Sequence, residues 1–127
     1  MLPGTAHAAV EADRGAGILA QAETRAGDWY AYGAAGPSAF DCSGLVAWAA
    51  GRAGISLPHS TYAMLASRHL VRTHRPAAGD LAFFGAGHVE IVARGHDVTF
   101  GAQHTGTRVG LHRWSGYWHP TMYFQVR

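Results

Sequence analysis

The chain has 127 residues, of which 48% are hydrophobic and only 14% charged, a composition typical of one compact domain and not of a disordered chain. Its formal net charge is +2, and its basic residues are all arginines spread along the chain, which does not favour a nucleic-acid partner. Cys42 is the one cysteine, so an intrachain disulfide and a multi-cysteine zinc site are excluded, and no apolar run approaches the ~20 residues of a membrane-spanning helix.

The N-terminal quarter of the chain predicts a loose start followed by a helix. We expect residues 1–9 to be flexible and residues 10–127 to form a single domain. Thr5–Ala9 resembles the cleavage region of a secretory signal, although no charged and apolar stretch precedes it, so a mature or excised domain and a native start both stay open. An alanine-rich helix is predicted from Val10 to Ala26, weakened by Gly15 and Gly17.

The middle of the chain predicts two more helices. Asp41 is a good N-cap for the first of them, which should end at Gly51 or Gly54. Its buried stripe consists of apolar residues at helical spacing, namely Leu45, Val46, Trp48 and Ala49. Ser60 can cap a short helix that follows a turn. An aromatic segment, Trp29–Gly33, and a loop precede the cap.

The second half predicts an antiparallel sheet, because short apolar segments alternate there with turns such as Pro76–Asp80 and Gly95–Asp97. The predicted strands are Leu81–Phe84, His88–Ala93, Val98–Phe100, Val109–Trp114 and Met122–Val126. Helices that come first and a meander of strands that follows are typical of an α+β domain.

Cys42 stands one residue after the predicted cap, in the first turn of a helix. Unpaired backbone N–H groups and the positive end of the helix dipole stabilise an anion there, which favours a nucleophilic thiolate and later an oxyanion. The alternative is a buried cysteine that serves as a small hydrophobic residue. The small Gly44 favours the nucleophile, because it lets other groups approach the helix start closely.

A thiolate nucleophile needs a proton carrier for the leaving amine, and histidine is the usual one. His88 is the best placed of the nine histidines, because it opens a predicted strand directly after the flexible segment Gly85–Gly87. A structural histidine at a strand end is the alternative.

Five segments occur in an order and at spacings that resemble the NlpC family of bacterial cell-wall peptidases, over residues 20–109. They are Tyr30–Gly33, Phe40–Val46, Gly54–Thr61, Pro76–Leu81 and Gly87–Ile91. The resemblance implies a papain-like α+β core with N-terminal helices packed on a C-terminal antiparallel sheet and the nucleophile at a helix N-terminus. It also implies hydrolysis of peptidoglycan stem-peptide amides, often between D-glutamate and the following diamino acid.

The resemblance further implies roles for particular residues. Cys42 would be the nucleophile, His88 the general base and acid, Tyr30 a wall of the pocket, and Asp41 and Ser43 recognition or positioning residues. Neither a cofactor nor a metal is implied. The expected partner is a peptidoglycan stem peptide, and the expected protein is a monomer that is secreted, resides in the cell envelope, or belongs to a phage lysis or tail apparatus.

The family also places a third polar residue, commonly histidine, roughly twelve residues after the catalytic histidine, where it orients the imidazole. That position falls at or near Gly101 in this chain, which has no side chain to offer. Strand alternation puts Thr99, Gly101 and Gln103 on one face, so Gln103 is the first candidate. A bulge would offer His104 instead, and a water or a backbone carbonyl could also serve.

Other functions stay open at this point. The same thiol chemistry could transfer an acyl group or deamidate another substrate, and the missing side chain at Gly101 leaves a catalytically inactive binding or structural module as an alternative. An aromatic group, consisting of Trp114, Tyr117 and Trp118, could form a rim for a glycan or peptide or could pack in the core. Bond specificity is also open, because the groove walls are expected in loops such as Ala34–Ala39 and Arg68–Pro76.

Overall fold

The computed structural model describes residues 14–127. The expected loose segment 1–9 and the expected helix start at Val10 therefore lie outside the described residues. The first helix, α1, covers residues 14–23 of the described part. It ends before the predicted Ala26, because the amides of Thr24 and Arg25 bond three residues back and tighten the chain into a turn.

The helices precede a six-stranded sheet, so the predicted α+β order of elements is confirmed. The remaining elements are β1 (Trp29–Tyr30), β2 (Ala39–Phe40), α2 (Cys42–Arg52), α3 (Thr61–Leu65), β3 (Leu70–Thr73), β4 (Leu81–Phe84), β5 (His88–Arg94), β6 (Val98–Gly101), β7 (Gly110–Arg113) and β8 (Met122–Val126). The sheet has the strand order β3-β8-β4-β5-β6-β7, and all its neighbours are antiparallel. β1 and β2 form a separate parallel pair.

The strand β3 lies inside a segment that the sequence predicted as a loop, Arg68–Pro76. It pairs antiparallel with β8 at an edge of the sheet, where Leu70 is half-buried and Arg72 points to solvent. An edge strand with only one covered face carries polar residues, and Arg72 interrupts the apolar pattern that would have predicted a strand. The two-residue strands β1 and β2 are too short to have any periodicity of their own.

The helix α2 packs its buried side against β5. Leu45, Val46 and Ala49 have no exposed surface, as predicted, whereas Trp48 of the predicted stripe is only partly buried. The helix ends as predicted for Gly54, which follows the C-cap Ala53 and adopts a φ of +90°. No helix within residues 14–127 combines the length and the apolar character that crossing a membrane requires.

Candidate active site

The start of α2 is held by Asp41. Its Oδ1 accepts a hydrogen bond from the Gly44 amide at 2.7 Å, the bond that defines an N-cap. Its Oδ2 accepts from the Gly33 amide at 3.0 Å, and His59 Nε2 donates to Oδ1 at 2.7 Å. Both carboxylate oxygens are therefore hydrogen-bonded within the protein, and they connect the segments around Gly33 and His59 to the helix start.

Gly44 is required where it stands, as the sequence indicated. A Cβ on Gly44 would lie 2.0 Å from the carbonyl oxygen of Ala34, so the loop before the cap can contact the helix only across a glycine. Ser43 is buried, and its Oγ lies 3.5 Å from Asp41 Oδ1. Cys42 is the first residue of α2 and is a half-buried free thiol.

Tyr30 lies beside this helix start, because β1 places it opposite Phe40 on β2. Burial raises the pKa of its hydroxyl above the ordinary value of 10.0, and the negative charges of Cys42 and Asp41 raise it further. The Tyr30 hydroxyl therefore stays protonated at neutral pH and can donate a hydrogen bond next to the sulfur.

His88 opens β5 and contacts two groups of opposite function. Its Nε2 donates to Glu90 Oε2 at 2.8 Å, and the Cys42 side chain lies close enough to the ring to raise its pKa. Because Nε2 is engaged by the carboxylate, Nδ1 is the nitrogen that remains for the sulfur. The side chain is 14% exposed, so the imidazole is sheltered but can be reached.

The protonation of His88 is set by opposing effects. Burial by itself lowers the pKa of the imidazole, but the hydrogen bonds to Cys42 and Glu90 and the negative charges of both groups outweigh burial and raise the pKa from 6.5 to about 9. At neutral pH the ring is therefore an imidazolium. This protonation state fits a thiolate–imidazolium pair.

Glu90 is a fully buried carboxylate with three hydrogen-bond donors. His88 donates to Oε2, while Thr99 Oγ1 and His112 Nδ1 donate to Oε1 at 2.9 Å and 2.7 Å. Burial by itself raises the pKa of Glu90, but the bonds and charges of His112 and His88 outweigh it and lower the pKa. The carboxylate is therefore ionised and holds the imidazole in one orientation.

The structure places Glu90 on the imidazole, where the sequence led us to expect Gln103 or His104. A Cβ on Gly101 would lie only 2.5 Å from Glu90 Cγ, so the glutamate fills the space above the glycine. β6 ends at Gly101, and strand alternation does not extend to Gln103. Among the described hydrogen bonds none joins His88 to either expected residue, and His104 Nδ1 instead donates to the Thr105 carbonyl at 2.9 Å.

Two members of this network, Glu90 and His112, were not predicted from the sequence. Glu90 lies two residues after His88 on one strand, so period-two alternation already puts the two side chains on the same face. The sequence pattern could therefore have predicted Glu90 as a partner of His88. His112 comes from β7, two strands away from β5, and no local pattern could connect it to Glu90.

A cavity of about 310 Å³ adjoins the imidazole. It is lined by His88, Gln103, His104, Trp114 and Trp118. Trp114 is partly buried and donates from Nε1 to Thr99 Oγ1 at 2.6 Å, whereas Trp118 is 51% exposed and Tyr117 fully exposed. The aromatic residues near the C-terminus therefore form a wall beside the site as well as a packing cluster.

Comparison with known proteins gives consistent matches. The model of the NlpC/P60 family matches residues 27–127. A probable endopeptidase of Corynebacterium glutamicum is 39% identical over 109 residues, which are 84% of this chain and 52% of that protein. The chain thus spans about half the length of the first curated relatives that it matches.

Solved structures agree with these sequence matches. A Staphylococcus aureus protein described as similar to a lipoprotein of the NLP/P60 family is 31% identical, with a TM-score of 0.75 over 90% of this chain and 41% of that one. The peptidoglycan hydrolase RipB of Mycobacterium tuberculosis is 21% identical, with a TM-score of 0.75 over 92% of this chain and 66% of that one. At that level of identity RipB shows the shared fold.

Proposed function

The chain belongs to the NlpC/P60 family and has its papain-like α+β fold, and we propose that it is a cysteine peptidase that hydrolyses stem-peptide amide bonds of peptidoglycan. One observation carries the proposal. Cys42, at the capped start of α2, lies close enough to His88 to raise the pKa of its imidazole, and Nε2 of that imidazole is held by the buried Glu90. This arrangement supports the roles of nucleophile for Cys42, proton carrier for His88 and orienting group for Glu90.

The proposed reaction has two halves. The Cys42 thiolate attacks the amide carbonyl, and backbone N–H groups at the start of α2 stabilise the oxyanion that forms. The His88 imidazolium then gives its proton to the leaving amine as the C–N bond breaks, which leaves a thioester on Cys42. In the second half, neutral His88 takes a proton from water, the hydroxide displaces the sulfur, and the thiolate–imidazolium pair is restored.

Glu90 acts in this scheme through the imidazole. Its negative charge favours the imidazolium that donates the proton, and its bond to Nε2 directs Nδ1 toward the sulfur. The inactive-module hypothesis depended on the missing side chain at Gly101. Glu90 fills that space and supplies a carboxylate, which removes the reason for that hypothesis.

The family resemblance supports the substrate class and the bond. We propose cleavage between D-glutamate and the following diamino acid, with the Tyr30 hydroxyl as a donor to the substrate beside Cys42. Asp41 and Ser43 would act mainly by holding the helix start, because their side chains make their described contacts inside the protein. The substrate implies action at the cell envelope or on the wall of a target cell.

Digestion of defined muropeptides tests this function. The purified chain should release a peptide with a new diamino-acid N-terminus, identified by liquid chromatography and mass spectrometry. Cys42→Ala should lower turnover by more than about 10³-fold, because no other group can form the thioester. Circular dichroism should show that the variant keeps its fold. Equal activity of Cys42→Ala and the parent chain would reject the mechanism, and a wild-type chain that releases no such product would reject the substrate.

A further inference from the structure

His112 belongs to the Glu90 network but has no part in the reaction described so far, and an inference about its role rests on the proposed function. The alternation of β7 turns His112 inward, while its neighbours Leu111 and Arg113 are exposed. His112 pairs directly with Thr99 across β6 and β7. This register brings two donors to one carboxylate oxygen, because Thr99 Oγ1 and His112 Nδ1 both bond to Glu90 Oε1, at 2.9 Å and 2.7 Å.

These two donors set the orientation of the Glu90 carboxylate. The terminal torsion of a glutamate side chain is broad, so the rotamer alone does not fix the plane of the carboxylate. The donors hold Oε1 and leave Oε2 to His88 Nε2 at 2.8 Å. Thr99 is itself held, since its Oγ1 accepts from Trp114 Nε1 at 2.6 Å and directs its own proton to Glu90. The carboxylate therefore meets the catalytic imidazole in one orientation.

His112 also favours the charge of Glu90. Burial raises the pKa of the carboxyl, and the hydrogen bond from His112 is the largest of the effects that oppose burial. Among the described residues, the titratable groups that face Glu90 are His88 from its own strand and His112 from β7. The donor from β6, Thr99, carries no charge, and Cys42 of α2 lies near His88. Glu90 has no exposed surface, so water cannot replace a lost donor.

We propose that His112 is a positioning residue of the peptidase, which acts on the reaction through Glu90. Its hydrogen bond from Nδ1 keeps the carboxylate ionised and turned toward His88, so the imidazolium that the leaving amine needs is favoured and correctly oriented. Without this donor, Glu90 would take up a proton at higher pH, and a neutral Glu90 would no longer favour the imidazolium.

Two substitutions that differ in the donor test the proposal. His112→Phe keeps a ring and removes the donor, whereas His112→Asn keeps an N–H group bonded to Cγ, the place of Nδ1 in histidine. With the peptide L-alanyl-γ-D-glutamyl-L-lysine, His112→Phe should lower kcat/KM about tenfold and move the acid limb of the pH profile up by about one pH unit, because a hydrogen bond to a charged group is lost. His112→Asn should recover most of the activity and the original acid limb. Circular dichroism checks that both variants fold.

The effect of His112→Phe should depend on the carboxylate. In a Glu90→Gln background, the added His112→Phe should change kcat/KM by less than about twofold, because two residues that act as a unit are not additive. His74→Phe makes the same chemical change on an exposed histidine after β3 and serves as the matched control, which should keep the activity and the pH profile of the parent.

Three results would overturn the proposal. The first is a His112→Phe variant with the activity and the acid limb of the parent chain. The second is a His112→Asn variant as impaired as His112→Phe. The third is a further loss of about tenfold when His112→Phe is added to Glu90→Gln.

A wild-type chain that does not cleave the peptide would reject the proposed function, and the action of His112 on Glu90 is then measured without a substrate. Carbon-13 nuclear magnetic resonance of the glutamate carboxyl groups follows the protonation of Glu90, whose signal is absent from Glu90→Gln. The midpoint should lie about one pH unit higher in His112→Phe than in the wild-type chain and return toward the wild-type value in His112→Asn. Equal midpoints in the wild-type chain and His112→Phe would overturn the proposal.

Discussion

At the scale of single residues, Glu90 is the unusual feature of the site. A buried carboxylate is costly to desolvate unless donors satisfy it, and here three donors do so. Two of those donors are imidazoles, and one of them, His88, also contacts the thiol. The charge of Glu90 is therefore available at the point where the reaction needs an imidazolium.

Glu90→Gln tests this use of the charge. The substitution keeps the shape of the side chain and removes its charge, so we expect kcat/KM for the γ-D-glutamyl peptide to fall by about 10- to 100-fold, part of what general acid catalysis contributes. The alkaline limb of the pH profile should also move to lower pH, because the imidazolium loses a favourable charge. A merely structural role would leave that limb where it is.

Glu23→Gln makes the same chemical change on an exposed part of α1 and serves as the control. It should leave both kcat/KM and the pH profile unchanged. An unaltered alkaline limb in Glu90→Gln would contradict the assigned role of the carboxylate.

At the scale of elements, the β5–β6 pair shows which features of the site could be predicted from the sequence. The alternation of β6 correctly puts Thr99 and Gly101 on the face that meets Glu90. The alternation could not be extended to Gln103, because β6 ends at Gly101 and a strand end depends on which segments pair across the sheet. The start of α2 was predictable from its cap, since Asp41 contacts a residue only three positions away.

Gly101→Ala tests the packing between these two strands. The new methyl group would meet the Cγ and carboxylate of Glu90, and Glu90 cannot move without losing buried hydrogen bonds. We expect the free energy of unfolding to fall by about 1–3 kcal/mol, as in an overpacked core. Thermal or urea denaturation measures this change, and kcat/KM should fall with it as Glu90 is displaced.

Gly110→Ala is the matched control, because Gly110 pairs with Gly101 across β6 and β7 and a Cβ there meets nothing within 4 Å. Its unfolding free energy should stay within about 0.5 kcal/mol of the parent. Equal stabilities of the two variants would show that Glu90 does not depend on the glycine.

At the scale of the whole molecule, the site joins parts that lie far apart in sequence. Cys42 comes from the start of α2, His88 and Glu90 come from β5, and His112 comes from β7. Family spacing made Cys42 and His88 predictable, because the motifs around them are local. His112, the edge strand β3 and the cavity wall depend on sheet order, which one sequence does not reveal.

The raised pKa of His88 makes the stability of the fold depend on pH. The interactions that raise the pKa of His88 stabilise the folded state fully below the ordinary value of 6.5, and this stabilisation is lost as pH rises through about 9. The same deprotonation removes the acid that the leaving amine needs. Both stability and activity should therefore decline on the alkaline side.

A nuclear magnetic resonance titration of the His88 imidazole tests the central claim most directly. In the wild-type chain the ring should lose its proton with a midpoint near pH 9. The midpoint should fall in Cys42→Ala and in Glu90→Gln, because each variant removes a hydrogen bond and a charge that favour the imidazolium. A His88 ring that titrates near its ordinary value of 6.5, with no response to the loss of the Cys42 sulfur, would contradict the account.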